Sequence, residues 1–432
     1  MRRLESSSDR SGVGEIVNQE EEGNELEELD LVIDGGEIGG LFSDEYRRRF
    51  REKLANVILP VSVNGVPRNL GSAKHGKLKA MEWHSLWAYV IPLVVLELFV
   101  DNVNELKEGT NRYAMLQNTS FLVRCTNLVS SSPITNRTGK VFEQMYQKYC
   151  KSSSKLFRHI KIVPNHHYAL HIREQMELWG PMGGVSEYWG ENMVGILQKV
   201  RTSEKFGEME KTIMNKVIVW QKLMASRGLD QYLQSNGSVI EASKTHDFVL
   251  AEDVYLLLLA HVTETHHGCE IRNAYMLPHP PKYLILRPTA TSMVMWMGGN
   301  HIKVSPIPPH NCIVFCNGKH IEYGLVQEVL RFNDPLGGSR TSILICGINN
   351  TFAKDLNSPR KKFQFLCYMM KVVIGEVSTI KRFISPTKII SNAAYRLLPA
   401  NTFGIGANGI TLTPIDKLGH LLINEDSTPS LF

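Results

Sequence analysis

The feature that most constrains the fold is a change in the hydrophobic pattern after about residue 235. Before it, apolar residues recur at helical spacing, as at Phe50, Leu54 and Ile58. From Ile271 onward, short β-branched, alternating segments follow one another at roughly ten-residue spacing, separated by proline and glycine. We therefore predict an α+β fold in which a mostly helical domain precedes a β-rich domain built as a barrel or a sandwich.

The distribution of charge separates the start of the chain from the rest. The first 45 residues hold 14 acidic and 3 basic residues, a net charge of −11, while the whole chain of 432 residues carries +5. The remaining residues therefore carry +16, a balance that aids solubility and attracts polyanions. We expect a disordered acidic tail (1–42), a helical domain (43–240), a β-rich domain (241–420) and a disordered end (421–432).

Cysteine usage and the apolar runs bear on the cellular compartment. Seven cysteines without paired spacing favour reduced thiols in the nucleus or the cytoplasm. The apolar residues 86–100 include Pro92 and Glu97 and are too few to span a bilayer of about 30 Å, so we predict a buried helix and no membrane segment. The polar residues that follow Met1 do not form a signal peptide.

A basic loop in front of this apolar helix is a candidate for phosphate contact. It contains Arg68, Lys74, His75, Lys77 and Lys79 among small residues. Small residues let backbone amides approach a phosphate group, and the cationic side chains neutralise its charge. A solvated loop that leads into a helix is the alternative interpretation of the same pattern.

A histidine-rich segment is the second candidate. His167 and His171 are four residues apart and share a face if the segment is helical, a spacing that suits metal ligands. No cysteine lies nearby and the HExxH pattern is absent, so a buried, hydrogen-bonded histidine cluster is the favoured interpretation. We predict no bound metal here.

Several other patterns have structural interpretations. Trp83 and Trp87 are four residues apart and are predicted to belong to the core. Residues 247–259 keep a pattern that allows a helix, and residues 363–374 are counted among the predicted strands. Four histidine and cysteine residues in the β-rich region are evenly spaced, as zinc ligands on one face of a strand would be. The apolar residues between them favour ordinary strand packing over a zinc site. The four residues are His310, Cys312, Cys316 and His320.

Three strings together resemble the C-terminal half of CACTA-type (En/Spm) DNA transposases of fungi. The first covers residues 66–83, and the second covers residues 164–171 with a Trp-Gly-Pro at 179–181. The third, residues 191–198, is similar to the family string whose glutamate is the last acidic member of a metal-binding triad. The resemblance places Glu191 at that position, while Asn192 and Val194 depart from the family's arginine and asparagine.

The resemblance implies a remnant of an RNase H-like region whose first two aspartates lie upstream of these strings. Paired-metal phosphoryl transfer needs several carboxylates around ions about 4 Å apart, and Glu191 alone cannot assemble such a site. We therefore expect a transposon-derived nuclear protein that associates with DNA and lacks independent transposase activity. We expect no cofactor, and Mg²⁺ only if another polypeptide completes an acidic site. We expect a transposase or a chromatin protein as a partner.

Two alternatives stay open. In the first, Glu191 with His167 or His171 helps to complete an RNase H-like site when another polypeptide supplies the missing carboxylates. In the second, the β-rich domain, similar to a small chromatin-associated barrel at the end of the same transposases, binds a protein partner. A cage for a methylated lysine would need converging aromatic residues. The available ones are Tyr323, Phe332, Phe363, Tyr368 and Tyr395.

Overall fold

A computed structural model describes most of the chain between residues 44 and 415. Helices dominate up to residue 225 and strands dominate from residue 247, which confirms the predicted α+β fold. Both predicted disordered ends, residues 1–42 and 421–432, lie outside the described residues. The described residues are 44–70, 78–131, 135–157, 163–182, 207–225, 247–266, 268–277, 283–297, 302–353, 358 and 360–415.

The helices begin where the sequence provides caps or a proline. They are α1 (Asp44–Ala55), α2 (Ala80–Ser85), α3 (Ile91–Phe99), α4 (Asn111–Val129), α5 (Asn136–Leu156), α6 (Pro164–Leu170), α7 (Ile172–Trp179), α8 (Met209–Ala225), α9 (Glu252–Thr265) and α10 (Lys361–Met369). A π-helical turn, Leu86–Val90, joins α2 to α3. The hydroxyl groups of Thr110 and Thr135 accept backbone hydrogen bonds at the starts of α4 and α5. Pro92 lies in the first turn of α3, where a missing backbone N–H is tolerated.

Six strands close into an antiparallel barrel. The strands within the described residues are β1 (Asp247–Val249), β2 (Ile271–Asn273), β3 (Leu284–Leu286), β4 (Thr289–Ser292), β5 (Met295–Met297), β6 (Ile302–Val304), β7 (Cys312–Asn317), β8 (His320–Asn333), β9 (Ser339–Asn350), β10 (Val373–Ile384), β11 (Ile389–Leu397) and β12 (Gly409–Pro414). The order around the barrel is β7, β8, β9, β10, β12 and β11, and β11 pairs with β7. β4 and β1 extend this sheet beyond β8, while β2–β3 and β5–β6 form separate pairs.

One apolar cluster draws side chains from all six barrel strands and fills the barrel interior. Its buried members include Val314, Ile348, Val373, Tyr395 and Leu412, and the partly buried Tyr323 of β8 packs against them. A second cluster lies between the barrel wall and the β5–β6 pair, and a third lies beneath α9. The alternation of inward and outward side chains along β7 explains how one strand contributes to two clusters.

Residues 363–374 are not the strand that the sequence predicts. They contain most of α10, and β10 begins only at Val373. Phe363 and Leu366 of this helix are fully buried in a core shared with α3 and α4. A short apolar run of this kind fits a buried helix as well as a strand, so periodicity alone did not separate the two. Residues 247–259 likewise divide into the short strand β1 and the start of α9.

The prediction that both tryptophans belong to the core is wrong for one of them. Trp87 packs against the core, but the side chain of Trp83 is 49% exposed. The reason is that the buried part of this helical segment begins only at Ser85.

The first helices are packed directly on the barrel. Ile58 forms an isolated antiparallel bridge with Tyr395 of β11, through backbone hydrogen bonds of 2.8 and 3.0 Å. Glu97 of α3 accepts hydrogen bonds from Lys53 of α1 and from Arg396 of β11. This cluster, which we call the Glu97 cluster, therefore connects two helices to the barrel wall.

Helices α5 to α7 form an outer layer. α5 packs on α4, and α7 packs on α5. Their shared cluster contains Phe121 and Cys125 of α4, Phe142 of α5, Met176 of α7 and Met369 of α10. None of the helices within the described ranges combines the length and apolar character that crossing a membrane requires.

Candidate functional site

The structure describes part of the predicted phosphate-contact loop. Arg68 and Lys79 are exposed on either side of it. Lys74, His75 and Lys77 lie outside the described residues, within 71–77. The described ends of the loop are held by local contacts that leave both cationic side chains at the surface.

Those contacts are made on each side of the loop. On one side, Arg51 Nε donates to the Leu70 carbonyl oxygen at 2.9 Å. On the other, the Lys79 backbone N–H donates to Glu82 Oε2 at 2.7 Å, which fixes the start of α2. Glu191, the residue that the resemblance connects with catalysis, lies outside the described residues.

Helix α5 has a basic face that the sequence analysis missed. Five of the exposed residues of this helix recur at helical spacing and, at 100° per residue, fall within an arc of about 80°. At a rise of 1.5 Å per residue the arc extends along about 22 Å of the helix. We call this surface the lysine face, and it consists of Lys140, Gln144, Gln147, Lys151 and Lys155.

Among the described residues, acidic side chains do not neutralise the lysine face. Glu143 is the acidic residue of α5, and its carboxylate pairs with Arg173 of α7 at 2.5 Å. Arg173 Nε also donates to Glu177 Oε1 at 3.0 Å. Within the described part of the chain, no carboxylate forms an ion pair with the three lysines of the face. The face therefore has a net positive charge.

The opposite side of α5 fixes its orientation. Phe142, Met145 and Tyr146 are buried against α4. Asn118 Nδ2 of α4 donates to the hydroxyl oxygens of Ser152 and Ser153, both at 2.8 Å. A helix anchored by these contacts on one side holds the lysine face towards solvent on the other. The spacing of the lysines was readable in the sequence, but a lysine-rich helix face alone does not distinguish a binding surface from a solvated one.

His167 and His171 are brought together, as the helical spacing predicts. Their Nε2 atoms are 3.4 Å apart, and His171 Nδ1 lies 3.3 Å from Glu174 Oε2. The side chain of His171 is 48% exposed, so the pair lies at the surface and not in the buried cluster that the sequence favoured. His166 is separate from the pair because its Nδ1 accepts the Val163 N–H at 3.3 Å.

The β-rich domain does not assemble the zinc site considered from spacing. His310 and Cys312 are buried, whereas His320 is exposed at the end of the β7–β8 turn. Cys316 Sγ donates to the Gly318 carbonyl oxygen at 3.0 Å. In the ranges that the structure describes, no group of three or more histidine, cysteine, aspartate or glutamate residues is placed to hold a metal ion.

The aromatic residues considered for a methyl-lysine cage are dispersed. Tyr323 and Tyr395 belong to the barrel interior, and Phe332 lies in the cluster beneath α9. Phe363 belongs to the core shared with the first helices, while Tyr368 packs against the α4–α5 cluster. These five side chains therefore do not converge on one pocket.

Comparison with known proteins identifies no relative. No protein-family model matches the chain, no curated protein is similar to it, and no solved structure is similar to it. The resemblance to transposases, carried by residues 66–83 and 164–198, stays a prediction. The geometry of the outer layer is accordingly the main guide to function.

Proposed function

We propose that this chain is a transposon-derived nuclear protein that contacts DNA through the phosphate backbone and has no transposase activity of its own. In this proposal the helices up to α8 are the remnant of an RNase H-like region, and a transposase or a chromatin protein is a further partner. The origin rests on the three transposase-like strings. The DNA contact rests on one structural observation, the lysine face of α5.

The chemistry of the lysine face suits a nucleic-acid backbone. Lysine side chains neutralise phosphate charge, and glutamine amides donate hydrogen bonds to phosphate oxygens. A length of about 22 Å corresponds to about six base-pair steps of 3.4 Å along the axis of a DNA duplex. The net charge of +16 outside the first 45 residues adds a longer-range attraction to the same ligand.

The basic loop supplies a second contact in this proposal. Arg68 and Lys79 are exposed, and the loop between them holds further cationic residues in the sequence. Contacts of this type position a protein on DNA but carry no sequence information. We therefore expect binding with little sequence preference and with strong dependence on salt.

A salt series with a charge-neutralised variant tests the proposal. Each phosphate contact contributes about 0.9 to the slope of log affinity against log salt on duplex DNA. Replacing Lys140, Lys151 and Lys155 together with glutamine should therefore reduce the magnitude of this slope by about 3 and weaken binding uniformly across sequences.

The matched control carries the same change of charge on other elements. Lys107, Lys319 and Lys361 are exposed and lie before α4, in the β7–β8 turn and at the start of α10. Glutamine at these three positions should leave the slope close to that of the wild type. Equal slopes for both triple variants, or an affinity that does not fall as salt rises, would count against binding through the lysine face.

A further inference from the structure

We infer that His167 and His171 form a surface site for a divalent transition-metal ion of the Zn²⁺ class, with Glu174 orienting one of the two ligands. The inference does not depend on DNA binding. It rests on the distance between the two ring nitrogens, on the contact of Glu174 with the ring of His171, and on the exposure of the pair to solvent.

The distance between the nitrogens suits a shared ion. The Nε2 atoms of His167 and His171 are 3.4 Å apart. Two imidazole nitrogens bound to one tetrahedral zinc ion, with Zn–N bonds of about 2.0–2.1 Å, are separated by about 3.3–3.4 Å. An ion would therefore bind both nitrogens with little movement of either side chain. The ring centroids are 5.0 Å apart, and the ring planes meet at 80°.

Glu174 provides the contact that metal-binding histidines usually have. Its Oε2 lies 3.3 Å from His171 Nδ1. An Nδ1–H that donates to a carboxylate leaves the lone pair on Nε2, the atom that faces His167. The carboxylate therefore selects the tautomer of His171 that can bind a metal.

The location of the pair leaves room for other ligands of the ion. His167 lies in the last turn of α6, and His171 is the residue between α6 and α7. The side chains of His171 and Glu174 are 48% and 71% exposed, so water can occupy the remaining coordination positions. Because its two protein ligands are imidazoles, the site favours Zn²⁺, Ni²⁺ or Cu²⁺ over Mg²⁺ or Ca²⁺.

Neighbouring His166 offers a matched control. Its Nδ1 already accepts the Val163 N–H, and its ring stacks on Tyr149 with centroids 6.4 Å apart. A glutamine at position 166 therefore removes one imidazole from the same helix without removing either proposed ligand. This comparison separates the pair from the general affinity of histidines for metals.

Titration of the full chain with Zn²⁺, and separately with Ni²⁺, in the absence of DNA tests the inference by calorimetry. We expect His167→Gln and His171→Gln each to weaken the tightest site at least tenfold, and His166→Gln to leave it unchanged. Glu174→Gln should weaken metal binding by about tenfold, which is the smaller end of the effect seen when a group that hydrogen-bonds to a metal ligand is removed. Circular dichroism of each variant should match that of the wild type.

Two results would overturn the inference. One is that all the histidine variants bind the ions with the affinity of the wild type. The other is that the wild-type chain binds neither Zn²⁺ nor Ni²⁺. Unchanged binding by Glu174→Gln, together with loss in the two ligand variants, would overturn the role given to Glu174. Neither result bears on the lysine face, because the salt series does not require metal.

Discussion

Charged residues are used differently in the two helical layers of this molecule. In the inner layer, α1 to α3 lie on the barrel, and the Glu97 cluster is almost withdrawn from water. In the outer layer, α5 to α7, the lysine face and the His167–His171 pair are exposed. The position of a charge relative to the barrel therefore separates buried charges, which have a partner, from charges that are open to solvent.

The physical basis of this difference is the cost of removing charge from water. A buried carboxylate such as Glu97 is tolerated because Lys53 and Arg396 compensate it, and loss of one partner leaves the others without compensation. The side chains of Glu143 and Arg173 are 32% and 31% exposed, so water screens this ion pair more than the Glu97 cluster and the pair contributes less.

The largest effect is expected from removing the charge of Glu97. The Arg396 side chain is only 3% exposed, so Glu97→Gln leaves a buried guanidinium without its carboxylate. We expect the free energy of unfolding to fall by about 3–5 kcal/mol, measured with urea. The matched variant in the outer layer, Glu143→Gln, should cost less than about 1 kcal/mol. Similar losses in the two variants would show that the inner and outer layers do not differ in how much their charged residues contribute to stability.

A smaller loss is expected where the barrel requires a glycine. A Cβ atom at Gly375 of β10 would lie 2.0 Å from the Asn349 carbonyl oxygen of the neighbouring strand. Gly375→Ala must therefore shift β9 against β10, and overpacking of this kind costs about 1–3 kcal/mol. At Gly347 of β9 the nearest atom to such a Cβ is an Arg382 side-chain nitrogen at 3.9 Å. Gly347→Ala should cost less, and a thermal unfolding comparison of the two variants checks this.

The Glu97 cluster should also make stability depend on pH. Burial opposes ionisation of Glu97, but the hydrogen bond from Lys53 and the charge of Arg396 outweigh it and hold the pKa of Glu97 below its usual value. The stability from this lowered pKa is fully present above the ordinary glutamate pKa of about 4.3 and is lost as the pH falls through the lower folded value. Urea unfolding between pH 6 and pH 3 should show a steeper decline for the wild type than for Glu97→Gln. Parallel curves would assign the acid sensitivity to other carboxylates.

The smallest effect on stability is expected on the lysine face. Lys140, Lys151 and Lys155 are exposed and make no ion pair with any carboxylate that the structure describes. Glutamine at all three positions should change the free energy of unfolding by less than about 0.5 kcal/mol, because surface substitutions of this kind are close to neutral. A large loss of stability would show that these lysines are structural and would remove the contrast between the two layers.

The sequence predictions that succeeded rest on patterns of neighbouring residues, and those that failed concern how a segment packs. Alternation with turn residues predicted the β-rich domain, and helical spacing predicted that His167 and His171 share a face. The helix α10 was mistaken for a strand because its apolar run is short. The exposure of Trp83 was missed because spacing shows which residues share a face but not where the contact with the core begins.

The amino-acid pattern was enough to predict the order of helices before strands, the concentration of acidic residues at the start, and the spacing of the histidines and lysines. These properties depend on residues that are close in the chain. Long-range packing is what closes six strands into a barrel, disperses the aromatic residues among separate clusters, and brings Glu97 to Arg396, 299 positions away. The reason is that periodicity reports local conformation, whereas strand pairing and the partners of a buried charge depend on how distant segments pack.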